Sequence, residues 1–283
     1  MNAVVIIPNP KKDEELKVTA KVAEKLLSVG VRVFLNSEYK NCTAVGVEYY
    51  DEFPRADLII VIGGDGSVIA ASKYAVSDDI PILGVNLGKV GYLTEVEPDA
   101  LFVLDRLVSG EYFVEDKLLL SVECKRGTEI YRTESLAVND VVISHNDFLG
   151  IADFKVENSR GDCVKYRADG IILATPQGST AYSLSAGGPI ISHDLDSIIV
   201  TPVCPHSFFN RSIIFSGNER LKVTNDGESD LNVSIDGRLF TVLNKGDECT
   251  VYAAERKMKM ITFSENNMFS TLFRKMRILE DIK

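Results

Sequence analysis

Four short segments of the chain hold residue types that suit phosphate and nucleotide chemistry. The first is Gly63-Gly64-Asp65-Gly66-Ser67. It follows the strand-like stretch 57–62, apolar from Leu58 to Ile62, and opens a helix-like stretch, 67–76. Glycines let backbone approach phosphate oxygens, and a helix N-terminus offers N–H groups without intrahelical partners. Asp65 puts a carboxylate among those groups, which opposes simple anion binding. It fits a carboxylate that takes a proton from a hydroxyl nucleophile, or one that holds a metal on the phosphates. A tight strand-to-helix turn capped by Asp65 or Ser67 explains the segment equally simply. The second segment, Gly88-Lys89-Val90-Gly91, follows the apolar run 80–85. Read from Gly84, the stretch Gly84-Val85-Asn86-Leu87-Gly88-Lys89-Val90 is no P-loop, because the spacing between its glycines is one residue short and no Ser or Thr follows the lysine. On a neighbouring strand it would face the same crevice as the first loop.

The third segment is the densest. Tyr166-Arg167-Ala168-Asp169-Gly170 leads into the apolar run 171–174. Then follows Thr175-Pro176-Gln177-Gly178-Ser179-Thr180-Ala181-Tyr182-Ser183-Leu184-Ser185-Ala186-Gly187-Gly188-Pro189. Small hydroxyls and exposed backbone can read a ribose and a base edge, and the ring of Tyr182 offers a packing face. A plain loop is the alternative. The fourth is Asn139-Asp140, two polar residues inside a strand that otherwise reads Ala-Val before and Val-Val-Ile after. Neighbours on a strand alternate faces, so one of the two must point inward and needs a partner. His145, His193 and His206 show no ligand spacing, and no G-x-S-x-G elbow is present, which argues against hydrolase chemistry.

These segments need elements to position them. Over residues 1–115 strands alternate with helices: strands at 3–7, 31–35, 57–62 and 80–85, helices at 12–29, 67–76 and 98–109. This pattern predicts a parallel sheet. From about residue 117 short strands follow one another, with Asp236-Gly237 as a hairpin turn. The expected fold is an α/β domain (1–115) followed by an all-β, β-sandwich-like domain (116–263). A helical tail (264–283) is expected to pack back on the first. The chain has 283 residues, 41 acids against 31 bases and a net charge of −10, which argues against nucleic-acid or anionic-membrane binding. Five scattered cysteines, none in a C-x-x-C pair, suggest reduced thiols in the cytoplasm and no zinc site. No signal peptide and no membrane span are evident.

Taken in this order, the motifs resemble the NAD kinase family over roughly residues 57–240. Gly-Gly-Asp-Gly alone is shared with diacylglycerol kinases, sphingosine kinases and 6-phosphofructokinases. The pieces Arg167-Ala168-Asp169-Gly170, Thr175-Pro176 through Tyr182 and Ala186-Gly187-Gly188-Pro189 resemble NAD kinases more specifically. The resemblance implies transfer of a phosphoryl group from ATP or another phosphoryl donor to the 2′-hydroxyl of the adenosine ribose of NAD, and Mg²⁺ is expected to arrive with ATP, held mainly by phosphates and water. It implies Asp65 as general base, with Gly64, Gly66 and the Gly88, Lys89, Gly91 loop on phosphates. Asn139 and Asp140 would bind the NAD nucleoside, and Asp169, Thr180, Ala181, Tyr182 and Ser185 would line the rest of the site. Ser67, Arg167 and Asp236 complete the set. Asp140 stands where the family usually has Glu, one methylene shorter, and Ser67 replaces a usual Thr. The resemblance also implies a homodimer or homotetramer; the sequence itself shows no two-carboxylate cage for a metal. The alternatives are a lipid or sugar kinase of the same superfamily and a non-catalytic NAD(P)-binding regulator.

Overall fold

Two hydrophobic patterns build two kinds of sheet. A computed structural model describes residues 1–88, 91–146, 150–206, 209–264 and 272. The chain forms two units, Met1–Asp116 with Met258–Lys283, and Lys117–Lys257.

In the first unit the strands are β1 (Ala3–Pro8), β2 (Arg32–Asn36), β3 (Glu48–Tyr50), β4 (Leu58–Gly63), β5 (Ile82–Asn86) and β6 (Phe113–Lys117). They form one sheet in the order β3-β2-β1-β4-β5, continued by a late strand Met258–Thr262 and then β6. The pairs β1/β2, β1/β4, β2/β3 and β4/β5 are all parallel. Every residue of β4 is buried, as expected of a strand covered on both faces. The chain runs outward from β1 to β3 and returns to β4, so the strand order reverses between β1 and β4. In open parallel sheets the crevice beyond the carboxyl ends of two such strands is the usual ligand site. Here those ends are Pro8 and Gly63.

The helix expected at 12–29 begins later, as α1 (Lys17–Ser28). Buried Asp13 causes the delay. Its carboxylate accepts N–H bonds from Val18 (2.9 Å) and Thr19 (2.8 Å) and the Thr19 hydroxyl bond, so residues 9–13 stay in a fixed loop. The second helix, α2 (Asp65–Asp78), starts directly after β4. Residues 98–109 give only a 3₁₀ turn, Leu101–Leu104, and a short α3 (Asp105–Ser109), closed by Gly110 at φ 78°. The late strand Met258–Thr262, which the sequence pattern assigns to the all-β block, instead pairs parallel with β5, and Met258, Met260 and Ile261 bury their side chains. The Glu95 carboxylate holds its end, accepting from the Thr262 hydroxyl and the Phe263 N–H at 2.9 Å each. The tail expected to pack on the first domain lies outside the described residues, apart from Ser264 and Leu272.

The second unit contains β7 (Leu120–Arg126), β8 (Glu129–Arg132), β9 (Asp140–His145), β10 (Ala152–Glu157), β11 (Cys163–Ala168) and β12 (Gly170–Ala174). It continues with β13 (Ser197–Val203), β14 (Ile213–Ser216), β15 (Arg220–Asn225), β16 (Leu231–Ile235), β17 (Arg238–Leu243) and β18 (Glu248–Ala253). The late strand of the first unit is therefore β19. Two six-stranded sheets result, ordered β11-β10-β15-β18-β7-β8 and β14-β13-β12-β9-β16-β17. The described pairings are antiparallel. Alternating residues of both sheets enter one core: Val122, Phe154, Tyr166 and Val251 from the first, Val141, Ile171, Leu173 and Val233 from the second. Strand β12 is buried on its other face too, where Ile172 and Ala174 meet Ile191 and Ile199. No helix among the described residues is long and apolar enough to cross a membrane.

Candidate active site

In the first unit, the extended backbone of Gly64 caps α2 and no side chain takes the cap. Asp65 is therefore the first helical residue, and neither it nor Ser67 is the N-cap. The Asp65 carboxylate turns toward the segment after the second glycine loop. Its Oδ2 accepts the Tyr92 N–H and its Oδ1 the Leu93 N–H, both at 2.9 Å. Two backbone donors fix the plane of the carboxylate.

Three glycines are required by this geometry. A Cβ on Gly91 would lie 2.3 Å from Asp65 Oδ1 and 2.3 Å from Thr94 Oγ1. One on Gly63 would lie 2.4 Å from Ser67 Oγ, and one on Gly84 2.6 Å from the Leu93 carbonyl. All three are far inside van der Waals contact. Gly66 differs: it is exposed and a Cβ there would meet nothing within 4 Å. No packing constraint demands glycine at that position, which leaves the front of the α2 N-terminus open for a ligand. Gly88 is exposed at φ 128°, and Leu87 N–H bonds the Gly63 carbonyl at 2.7 Å, joining the two loops. Lys89 lies outside the described residues.

Ser67 is tied to the end of β1, because the Asn9 Nδ2 donates to its Oγ at 2.9 Å. The sequence motifs do not include Asn9 or the adjoining Lys12. Asn9-Pro10 is the available signal, since a residue before proline resists helix and the pair sits just past a strand. Asn86 and Thr94 also lie outside those motifs. Both are buried, and Asn86 Oδ1 and Thr94 Oγ1 have no hydrogen-bond partner among the described residues.

In the second unit, Asp236 organises the polar step in the core strand. It occupies the β16–β17 hairpin with Gly237, at φ 45° and 75°. Its carboxylate accepts the N–H groups of Val138 (2.8 Å), Asn139 (2.8 Å) and Asp140 (3.1 Å). Asp236 thus commits its oxygens to backbone and positions Asn139 and Asp140. Asp140 is the inward member, 5% exposed, while Asn139 is half-buried. Burial, and then the charge of Asp236, push the Asp140 carboxyl up to about 7.

The hydroxyl-rich segment packs onto this step. Thr175 Oγ1 donates to the Val138 carbonyl (2.7 Å) and accepts the Gly178 N–H (2.9 Å). A Cβ on Gly178 would lie 2.0 Å from the Asn139 carbonyl oxygen, so glycine alone allows the approach. Buried Ser179 accepts the Ile191 N–H at 3.1 Å, and Thr180 donates to the Gln177 carbonyl at 3.1 Å. Ala181 is half-buried, and Tyr182 and Ser185, at the two ends of the four-residue α4 (Tyr182–Ser185), are exposed. Asp169 is half-buried, without a hydrogen-bonded carboxylate among the described residues. Arg167 points away from the core that Tyr166 and Ala168 enter.

Within each unit, then, the structure gathers the residues picked out from the sequence. Asp65 meets the Gly91–Thr94 turn in one, and Asn139, Asp140, Asp236 and residues 175–182 share the other. Among the described residues no group of three or more His, Cys, Asp or Glu could hold a metal. A carboxylate at an open glycine-rich helix start, at the switch point of a parallel sheet, is the arrangement suited to an enzyme that transfers phosphoryl groups between nucleotides.

Comparison with known proteins is specific. Residues 4–112 match the family model of the ATP-NAD kinase N-terminal domain, and residues 138–263 that of the ATP-NAD kinase C-terminal domain. The chain is 36% identical over 281 residues to the NAD kinase of Thermoanaerobacter sp. (strain X514), covering 96% of this chain and 98% of the relative. It is 39% identical over 225 residues to the NAD kinase of Geobacter sulfurreducens, covering 78% of each. Among solved structures, an NAD kinase from Archaeoglobus fulgidus in complex with ATP superposes with a TM-score of 0.71 at 25% identity, covering 98% of this chain and 99% of that one. Yeast NADH kinase complexed with NADH shares the fold, with a TM-score of 0.83 at 22% identity over 96% of this chain and 86% of that one. The chain belongs to the NAD kinase family.

Proposed function

We infer that the protein transfers the terminal phosphoryl group of Mg·ATP to the adenosine ribose 2′-hydroxyl of NAD, giving NADP and ADP. The observation that carries this reading is the Asp65 carboxylate, held by two backbone N–H groups beside an open helix start. In the step, the 2′ oxygen forms a bond to the terminal phosphorus while the bond from that phosphorus to the bridging oxygen breaks. The bridging electron pair leaves with ADP, and the 2′ proton passes to Asp65. A ribose hydroxyl is far too weak an acid to ionise beforehand at neutral pH. Asp65 therefore acts late, as the new bond forms, and positioning supplies most of the rate. Mg²⁺ enters as part of the donor, on phosphates and water.

By the family likeness, Gly64, Gly66, Ser67, Gly88, Lys89 and Gly91 hold phosphates. Asn139 and Asp140 take the NAD nucleoside, with Asp169, Thr180, Ala181, Tyr182 and Ser185 around it. Arg167, on the outer face of β11, is available to an anionic group. Asp236 acts through Asn139 and Asp140. The reading extends to a homodimeric or homotetrameric enzyme of the cytoplasm, which sedimentation velocity would check for oligomer order. A lipid or sugar acceptor is disfavoured by the matched C-terminal family domain. The test is NADP formation from NAD and Mg·ATP, read with an NADP-specific dehydrogenase. NADP appearing with matching ADP supports the reading; NAD binding without turnover would replace it with a binding protein.

A further inference from the structure

Among the described residues, Lys12 brings a cation to both glycine loops. Its Nζ lies 2.8 Å from where a Cβ on Gly64 would stand and 3.7 Å from where one on Gly88 would stand. The side chain is exposed, and among the described residues it makes no ion pair or hydrogen bond. The backbone beneath it is nevertheless fixed. Asn9 N–H bonds the Ile62 carbonyl (2.8 Å), and the Asn9 carbonyl accepts the N–H groups of Lys12 and Asp13 (2.9 Å each). Asn9 also reaches Ser67, and Asp13 anchors the start of α1.

An ammonium beside the N-terminus of a 14-residue helix brings positive charge to positive potential, an arrangement that an anion between them makes favourable. A second observation concerns the turn that Asp65 touches. The Thr94 hydroxyl, in a residue 8% exposed and without a partner among the described residues, flanks the same Gly91 space as Asp65 Oδ1. A buried hydroxyl left unpaired by the protein is suited to a ligand oxygen.

We propose that Lys12 binds the transferable phosphate of the donor and neutralises the charge that moves toward the departing ADP as the phosphorus–oxygen bond breaks. This rests on the kinase reading above. Lys12 would touch the reacting group, as a point charge delivered from the end of β1 to the loop at the end of β4.

The test uses the full chain as Lys12→Met and Lys12→Arg, with two readouts. Initial rates give kcat and KM for each substrate, and calorimetric titration gives affinity for Mg·ATP and, separately, for NAD. Lys12→Met is expected to lower kcat/KM for ATP by about 10²-fold or more, leaving NAD affinity and melting temperature unchanged. Lys12→Arg should recover part of the loss. Unchanged ATP affinity together with kcat within about twofold of wild type would overturn the proposal. A parallel loss of NAD affinity would also overturn it, by making Lys12 a general structural element. If wild type makes no NADP, the kinase reading fails on its own, and the ATP titration still decides whether Lys12 holds the donor phosphates.

Discussion

Replacing Gly91 by alanine puts a carbon where the structure leaves no room. The new Cβ would stand 2.3 Å from both Asp65 Oδ1 and Thr94 Oγ1. Relieving overlaps that short moves the carboxylate, or the Gly91–Leu93 backbone that orients it, by about 1 Å, and a misplacement of that size costs about 10²-fold in rate. This corresponds to about 2.7 kcal/mol of transition-state stabilisation. The disturbance centres on Asp65 and Tyr92, which lie outside the apolar core around Ile60 and Val85, and reaches buried Leu93 only through its backbone. Gly91→Ala should therefore fold, bind NAD near normally and show its loss mainly in kcat. The assay is the coupled NADP rate with saturating Mg·ATP, alongside a melting curve. A folded Gly91→Ala enzyme with kcat within about threefold of wild type would refute the idea that this turn sets the Asp65 position.

Gly66→Ala makes the complementary case. Nothing within 4 Å opposes the methyl group, so the melting temperature should hold or rise, since alanine favours helix by about 1 kcal/mol. The KM for Mg·ATP should nonetheless rise about tenfold, as a phosphate loses its closest approach to the α2 N-terminus; an unchanged KM would place the phosphates elsewhere. Asp140 predicts a pH signature. Its folded pKa of about 7 stands above the ordinary value of 3.8, so the folded chain holds this proton more tightly. Stability owed to this group is full below the lower value and falls as pH rises from about 4 to about 7, by about 4 kcal/mol in all. Denaturant midpoints across that range should flatten in Asp140→Asn, and parallel profiles for the two proteins would contradict the assignment.

Much of the site is legible in the sequence because local chemistry and topology agree. The run 57–62 ends in Gly63-Gly64-Asp65, so strand, turn and carboxylate can be placed in order. The Asp236-Gly237 hairpin is equally plain, yet its second role is hidden. Only the fold brings residue 236 within hydrogen-bonding distance of 138–140. The same holds for Asp65: the sequence offers a cap, and the partners that rule it out come from the Tyr92 and Leu93 backbone. The start of α1 departs from its pattern because Lys12 and Asp13 suit a helix by composition, whereas Asp13 captures the N–H groups of residues 18 and 19 and holds the chain back. Strand β19 resembles its sequence neighbours, and its parallel pairing with β5, through Met260 and Ile82, joins residues so distant in the chain that no local signal marks it.

The most direct measurement compares wild type with Asp65→Asn in NADP formation from NAD and Mg·ATP, with NAD affinity measured on both. With Asp65 as the proton acceptor, kcat should fall about 10³-fold, within the span of a general base, while NAD affinity changes little. Full activity in Asp65→Asn would contradict the central role given to this carboxylate.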